Sequence, residues 1–384
     1  MLRPLTAAAV IASAACLWVP SHAQLPTDAL VVTDFRELAL DVGGEEEDWQ
    51  PAFQAAIARA RETRQPVYVP AGEYRIRRAI EIVPPDLDKR PFGSDNVRIV
   101  GAGMFKSVVI QSVEAENCVD WTGLEYEKSE VRGELEDISL RGGEITLNIK
   151  WHNHFRMDSC YLEGSGRYGV YAEGWSSRFL NSIIRWCGEA GIVGAGHFNN
   201  CIIRDCYFSR DGIGILLSGV HGSRIEGCGL ESCARAAIFV RNTRGLTIAD
   251  SYFEGNGYRL AQFPFEGVPN TISLDMNNMG IEIHDNILRV NRDEEGALIS
   301  IADCRGGHIY DNLFYCYNPG RHGIRLRGVS ETKPEWQTAI ADLVVESNTM
   351  HQVVIPLSED TPGVYDRAVA AGCSFDLALS GREG

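Results

Sequence analysis

An apolar residue, two variable residues, a small polar residue, one variable residue and a second apolar residue recur as a unit along this chain. That recurrence constrains the fold more than any other feature. The unit reads Met157-x-x-Cys160-x-Leu162, Phe179-x-x-Ser182-x-Ile184, Ile203-x-x-Cys206-x-Phe208 and Ile225-x-x-Cys228-x-Leu230. It continues as Ile248-x-x-Ser251-x-Phe253, Ile283-x-x-Asn286-x-Leu288, Ile309-x-x-Asn312-x-Phe314 and Val345-x-x-Asn348-x-Met350. Steps between the small polar residues are 22, 24, 22, 23, 35, 26 and 36. Periods of that size belong to solenoids, in which each unit buries its apolar side only by stacking on its neighbours. A leucine-rich repeat is the rival, but leucine and helix formers are too sparse between the anchors. The β-branched and aromatic runs, divided by Gly, Asn, Asp and Ser, predict three short strands per turn of a parallel β-helix.

The small polar residues are expected to stack at the strand spacing of roughly 4.8 Å. Asn side chains in such a column hydrogen-bond along the axis, while Ser and Cys fit the same tight interior bend. The chain has 11 cysteines, which in an oxidising compartment suggests disulfides. Cys160, Cys206 and Cys228 fall in the column, however, where free cysteine serves as a small buried residue and in-register neighbours seldom reach disulfide geometry.

Residues 1–23 read as an export signal: Arg3, an apolar stretch from Leu5 to Val19, then Ser21-His22-Ala23 as a cleavage site. The stretch is shorter than the roughly 20 apolar residues that span a bilayer. The expected location is therefore secreted or periplasmic, with residues 24–384 as one domain: a cap over about 31–100, coils over about 100–355 and a tail over 356–384. In the cap, Trp49, Phe53, Ala56, Ile57 and Ala60 share one face of a predicted helix that Asp48 would cap. Such an amphipathic capping helix would cover the open end of the first coil. A strand, turn and strand follow over Pro66–Ile76.

At these residues the chain resembles a known superfamily. Asp34-Phe35, the helix from Trp49, Val67-Tyr68-Val69-Pro70-Ala71-Gly72-Glu73-Tyr74 and Val100-Gly101-Ala102-Gly103 look like the opening of the pectate-lyase-like right-handed parallel β-helix superfamily. The resemblance implies an all-β fold, and relatives that are polysaccharide lyases, glycoside hydrolases or phage tailspike depolymerases, with trimers familiar among them. It covers nearly all of the mature chain and specifies fold better than reaction. The acidic run Gly43-Gly44-Glu45-Glu46-Glu47-Asp48 departs from the superfamily's Gly-Asp-Gly with trailing Asp and Thr.

The interior of such a helix is packed, so chemistry belongs on an outer face. Alternation along the strands that follow the glycine-rich bends leaves two outward columns. One runs Tyr171, Val193, Leu216, Phe239, Ser273, Ser300, Arg325; the other runs Glu173, Ala195, Ser218, Arg241, Asp275, Ala302, Arg327. Glu173, Tyr171, Phe239, Arg325 and Arg327 are candidate substrate contacts, because sugar rings lie on aromatic faces and arginine grips carboxylates in a fork. Both long intervals, Gly257 to Asn270 and Val329 to Thr338, flank this face, which centres the catalytic candidates on Asp275 with Arg241, Asp303, Asp211 and His322. A solvated Arg241–Asp275 ion pair is the plainer reading of those two. Asp205, Asp250, Asp285 and Asp311, beside the column, read as turn formers.

A formal net charge of −16 disfavours nucleic acid and anionic lipid as partners. His-Glu-x-x-His, a phosphate-binding glycine loop and Gly-x-Ser-x-Gly do not occur. The expectation is an enzyme on a polysaccharide or oligosaccharide, monomeric or trimeric. A lyase would neutralise a uronate carboxylate with Arg241, Arg325 or a calcium ion, and remove the neighbouring proton with His322, an arginine or a tyrosine. A hydrolase or transglycosidase needs two carboxylates about 5 to 9.5 Å apart, Asp275 with Asp303 or with Asp211. The run from Ala297 to Gly328 loosely resembles fructan-cleaving fructotransferases. A non-catalytic carbohydrate-binding surface protein is the third expectation.

Overall fold

The computed structural model describes residues 28–41, 47–83, 96–123, 132–257, 269–290, 296–316, 322–327, 340–351 and 353, and the backbone of strands within 355–376. Three parallel sheets run its length. The first has 13 strands, from Leu30–Val31 to Val369–Ala371; the second has 12, from Gly72–Ile76 to Ser374–Asp376; the third has 11, from Ile80–Ile82 to Ile355–Glu359. Each coil contributes one strand to each sheet in that order, so the chain winds as a right-handed parallel β-helix. A four-stranded parallel sheet, beginning at Asn278–Met279, fills the corner between the third and first sheets in the later coils.

Many strands of the first two sheets are three residues long, because that is what one side of the coil needs. In Ile202–Arg204, for instance, Ile203 points inward and is buried while its neighbours face out. The interior is a continuous apolar stack in which Phe155 meets Phe179 at 6.3 Å and Phe179 meets Phe198 at 5.8 Å between ring centroids. Burying each such ring contributes on the order of 1.5–3 kcal/mol.

The corner between the first and second sheets holds the column the repeat predicts. At each bend one residue takes a left-handed backbone: Ser159, Asn181, Asp205, Gly227, Asp250, Asp285, Asp311 and Ser347 have φ between 48° and 62°. Asp and Asn tolerate that conformation, so Asp205, Asp250, Asp285 and Asp311 are turn formers, as expected. The next residue points in and bonds to the neighbouring coil. Cys160 N donates to Ser182 Oγ at 3.0 Å and Cys228 N to Ser251 Oγ at 3.1 Å. Ser251 N donates to Asn286 Oδ1 at 3.0 Å, Asn286 N to Asn312 Oδ1 at 3.1 Å and Asn312 N to Asn348 Oδ1 at 3.0 Å. Asn side-chain amides add bonds to Asn neighbours and to backbone carbonyls, such as Asn312 Nδ2 to Ile283 O at 2.8 Å.

The nine described cysteines are free and buried; Cys16 and Cys373 lie outside the described residues. Burial pushes the thiols up, Cys118 and Cys228 to about 12.

The helix spans Gln50–Thr63 and packs against the start of this core through Trp49, Phe53, Ala56, Ile57 and Ala60, all buried. Trp49, not Asp48, is the N-cap residue and makes no side-chain cap bond; Asp48, one residue earlier, accepts through Oδ1 from Gln50 N at 3.1 Å and from Arg77 N at 3.3 Å, which ties the start of the helix to the residue after the strand Gly72–Ile76. Strands Val67–Val69 and Gly72–Ile76 lie where the strand–turn–strand is predicted. Gly43 to Glu46 and most of both long intervals lie outside the described residues, as do residues 1–27.

Replacing Asn312 by Ala removes donors to Ile283 O and Tyr310 O and the acceptor of Asn286 N. Equilibrium urea unfolding is expected to lose about 3 kcal/mol, the scale of buried polar groups left unpaired.

Candidate functional site

Register along the third sheet confirms that both outward columns are continuous. Tyr171 pairs with Val193, Val193 with Leu216, Leu216 with Phe239, Phe239 with Ser273, Ser273 with Ser300 and Ser300 with Arg325. Ala195 pairs with Ser218 and Ser218 with Arg241. The second column continues through backbone bonds from Asp275 N to Val240 O at 2.8 Å, Ala302 N to Leu274 O at 2.8 Å and Arg327 N to Ile301 O at 2.7 Å. Asp275 is therefore one rung from Arg241 and two from Arg327, about 5 and 10 Å along the axis at the strand spacing.

Exposure changes the picture of an open strip. Asp275 is 0% exposed, Ser273 2% and Ser300 1%. The centre is enclosed, and Arg241, Arg325, Arg327 and His322 are half-buried around it. Arg241 turns away from Asp275: its Nε donates to Ser218 Oγ at 3.1 Å on the preceding coil, and no ion pair joins Arg241 to Asp275. Asp303 is 9% exposed, and its Oδ2 accepts from Asn277 N at 2.8 Å while its carbonyl accepts from Asn278 Nδ2 at 3.2 Å. Its carboxylate thus braces the bend that follows Asp275. His322 opens the strand His322–Leu326 and pairs with Ala297, three residues before Arg325.

Two candidates need correction. Phe239 is 2% exposed, packed in an apolar cluster with Val193, Ile213, Ala190 and Ala236, and the guanidinium of Arg235 lies 4.8 Å from its ring centroid. Covered in this way, it offers no face to a sugar. Asp211 lies in the bend before the Ser218 strand, as read from the sequence, but its side chain enters the coil. It belongs to a second interior column, Ser165, Cys187, Asp211, Cys233 and Asn256, each following a left-handed residue. Cys187 N donates to Asp211 Oδ1 at 2.8 Å, as Cys233 N does to Asn256 Oδ1 at 2.9 Å. Asp211 is 0% exposed, and its Oδ2 has no hydrogen-bond partner. Burial pushes its carboxyl well above the usual value, offset in part by the Cys187 amide.

Tyr171 and Glu173 remain accessible, both half-buried, with Tyr171 donating its hydroxyl hydrogen bond to Glu173 Oε1. Burial first, and then that carboxylate, raise the Tyr171 phenol. Polar groups that the sequence reading passed over extend this end. Asp120 Oδ1 accepts from Asn148 Nδ2 at 2.7 Å, on the rungs before Tyr171. Arg167 bridges Glu189 at 2.9 Å and Glu144 at 3.3 Å beside Tyr168. Their signal was the register itself, which carries the Tyr171 column back to Asn148 and Asp120.

Among the described residues no group of three or more His, Cys, Asp or Glu side chains is placed to hold a metal ion. The calcium alternative therefore has no ready ligand set among them, and arginines surround Asp275. None of the described helices is long and apolar enough to cross a membrane.

Comparison with known families places residues 146–333 in a match to a family described as "Right handed beta helix region" and residues 41–119 in one described as "Rhamnogalacturonase A/epimerase, pectate lyase-like". Curated proteins give no match. Among solved structures, the A-module of a mannuronan C-5 epimerase from Azotobacter vinelandii aligns at TM-score 0.60 and 15% identity, over 90% of this chain and 99% of that one. The pre-mature gene product 12 of bacteriophage phi29 aligns at TM-score 0.60 and 13% identity, over 90% of this chain and 52% of that one. The DFA-IIIase of Arthrobacter chlorophenolicus A6, in complex with GF2, aligns at TM-score 0.58 and 14% identity, over 88% and 97%. At these identities the likeness is one of fold.

Replacing Asp211 by Asn is expected to stabilise the protein. The new amide nitrogen would donate to Ile184 O, as Asn256 Nδ2 does to Leu230 O at 2.7 Å. With its folded value raised, the acid's stabilising contribution is full below the unfolded value near 3.8 and is lost as pH rises through the folded one. The gain in urea stability should thus be about 1–2 kcal/mol near neutral pH and shrink towards pH 4.

Proposed function

Because the chain belongs to the pectate-lyase-like right-handed parallel β-helix superfamily, we propose that it is a carbohydrate-active enzyme, and specifically an exported polysaccharide lyase that cleaves an acidic, uronate-containing glycan by β-elimination. The observation that carries this reading is the outward column holding Arg241, Asp275 and Arg327 in register, with Arg325 on the strand His322–Leu326 that Arg327 follows. A row of half-buried guanidinium groups on an otherwise acidic protein suits a polymer of carboxylates, since each planar fork matches one carboxylate.

In the proposed reaction, Arg241 and Arg325 neutralise the uronate carboxylate and stabilise the charge that builds on it when the C-5 proton leaves. His322, at the start of the Arg325 strand, takes that proton. The electron pair forms the C-4–C-5 double bond, the C-4–oxygen bond breaks, and the departing oxygen collects a proton. Asp275, enclosed in the same column, acts as a positioning residue on the side of Arg325 and Arg327, since Arg241 turns to Ser218. The mannuronan epimerase is named for work at C-5, the carbon from which a uronate lyase also removes its proton. Asp211 lies inside the coil, away from an outer carboxylate pair, and the Asp303 carboxylate accepts from Asn277 N, which favours a bracing role for it over the acid–base pair of a hydrolase. The segment 1–23 supports export to where such polymers are met.

Digestion of a polyuronate panel is expected to raise ultraviolet absorbance from the unsaturated product. Arg241→Ala should lower that rate about 100-fold, the scale of losing one donor to a developing anion, and Asp275→Asn by a smaller factor. Full activity in both variants would sink the placement of the site. New reducing ends without absorbance would mean hydrolysis, and neither signal would leave a binding protein.

A further inference from the structure

The outer face of the second sheet carries an apolar strip that takes no part in the chemistry proposed for the third. Register sets Ile183, Tyr207, Gly229, Tyr252, Ile287 and Leu313 on successive rungs, each beside an inward residue that is buried. Exposure decides what such a column can do. Phe239, which also points outward, is 2% exposed, whereas Tyr207, Tyr252 and Ile287 are 39%, 37% and 39% exposed. Apolar residues scattered singly over a surface need no explanation, but a row on neighbouring rungs is a patch.

Both tyrosine rings are tethered. Tyr207 donates its hydroxyl hydrogen bond to Glu231 on the next coil, and Tyr252 donates to Glu254 at 2.8 Å. Gly229 gives the first ring its room: a Cβ at that position would meet Tyr207 Cδ2 at 2.9 Å, so the ring leans across the glycine towards Glu231. A ring already fixed in place loses little freedom when a ligand lies on it. A carboxylate accepts about four hydrogen bonds, so Glu231 can serve ligand hydroxyls as well as Tyr207.

Size selects the occupant. The strip runs about 24 Å along the axis and is one three-residue strand wide, roughly 200 Å² in all. A stable contact between two proteins takes about 800 Å² from each. The strip is too narrow for a second copy and has the shape of a single extended polymer. Tyr207 and Tyr252 stand two rungs apart, about 10 Å, which matches the two-sugar repeat of a flat β-1,4-linked ribbon. The apolar faces of its sugars suit the rings, and its hydroxyls suit the carboxylates. Charge narrows the choice further. Glu231 and Glu254 flank the rings, and Arg289, on the rung beyond, is paired with Glu254 at 3.4 Å. Carboxylates beside the stacking surface oppose a uronate, so the ligand is a neutral glycan.

We propose that Tyr207 and Tyr252 form a second glycan-binding site, for a neutral β-1,4-linked polysaccharide, on a different sheet from the catalytic face. It stands independently of the lyase reading, and it moors the protein to one polymer while the third sheet meets another.

Titration calorimetry of the full chain with cellohexaose, mannohexaose and xylohexaose is expected to show binding of at least one of them. Tyr207→Thr and Tyr252→Thr, which keep a β-branched residue in the strand, should each weaken that binding about tenfold with the thermal midpoint unchanged. Tyr207→Phe, which keeps the ring, should stay within about threefold of wild type. Arg241→Ala should bind the hexaose as wild type does, and Tyr207→Thr should cleave polyuronate as wild type does. Wild-type protein that binds none of the three hexaoses, or threonine variants that bind as tightly as wild type, would overturn the site and leave the lyase reading untouched. A concentration-dependent doubling of mass that Tyr207→Thr abolishes would overturn it too, by assigning the strip to a second copy.

Discussion

Everything on the outer surface depends on a contact made inside the bends: a residue with a left-handed backbone followed by a small polar side chain that accepts the amide of the neighbouring coil. Cys160 N on Ser182 Oγ and Asn286 N on Asn312 Oδ1 are two instances. Because side chains along a strand alternate, a slip of one residue at a bend would send the whole strand's outward set inward. The bends prevent that slip. Arg241 therefore follows Ser218 and precedes Asp275 along the axis, and the face becomes a ruled surface with one functional position per rung.

Charge on the other faces is handled in pairs. Arg98 meets Glu136 at 2.7 Å, and Arg185 meets Glu163 at 2.8 Å, each across adjacent rungs. Exposed pairs of this kind contribute about 0–1 kcal/mol each, so they keep the surface soluble more than they hold it together. The arginines of the third sheet differ in setting. Arg241 reaches back to a serine hydroxyl, and its neighbours along the column are Ser218 on one side and Asp275 on the other.

Much of this was legible in the sequence because the signal is local and repeated. The spacing of Cys160, Ser182, Cys206 and Cys228 sets the coil length, and the coil length sets the columns. Asp211 was misjudged as an outer carboxylate although the same arithmetic reaches it: Cys187, Asp211, Cys233 and Asn256 step by 24, 22 and 23 residues, the period of the main column. Burial was harder to read, because alternation gives the side of the sheet and not what lies over it. Phe239 points outward as expected and is still only 2% exposed.

The make-up of the first interior column also changes along the axis. From Cys160 to Ser251 its links are single amide–hydroxyl bonds interrupted by thiols, whose contacts are long, such as Cys228 Sγ to Ile203 O at 3.6 Å. From Asn286 to Asn348 each junction carries a main-chain bond and a second one from the side-chain amide, both near 3.0 Å. Stretched end to end, a rod built this way has a soft half and a stiff half. Its yield plane lies among the sulfur-bearing turns, which include the coil of Arg241, and the half that carries Arg325 and Arg327 would be the last to come apart.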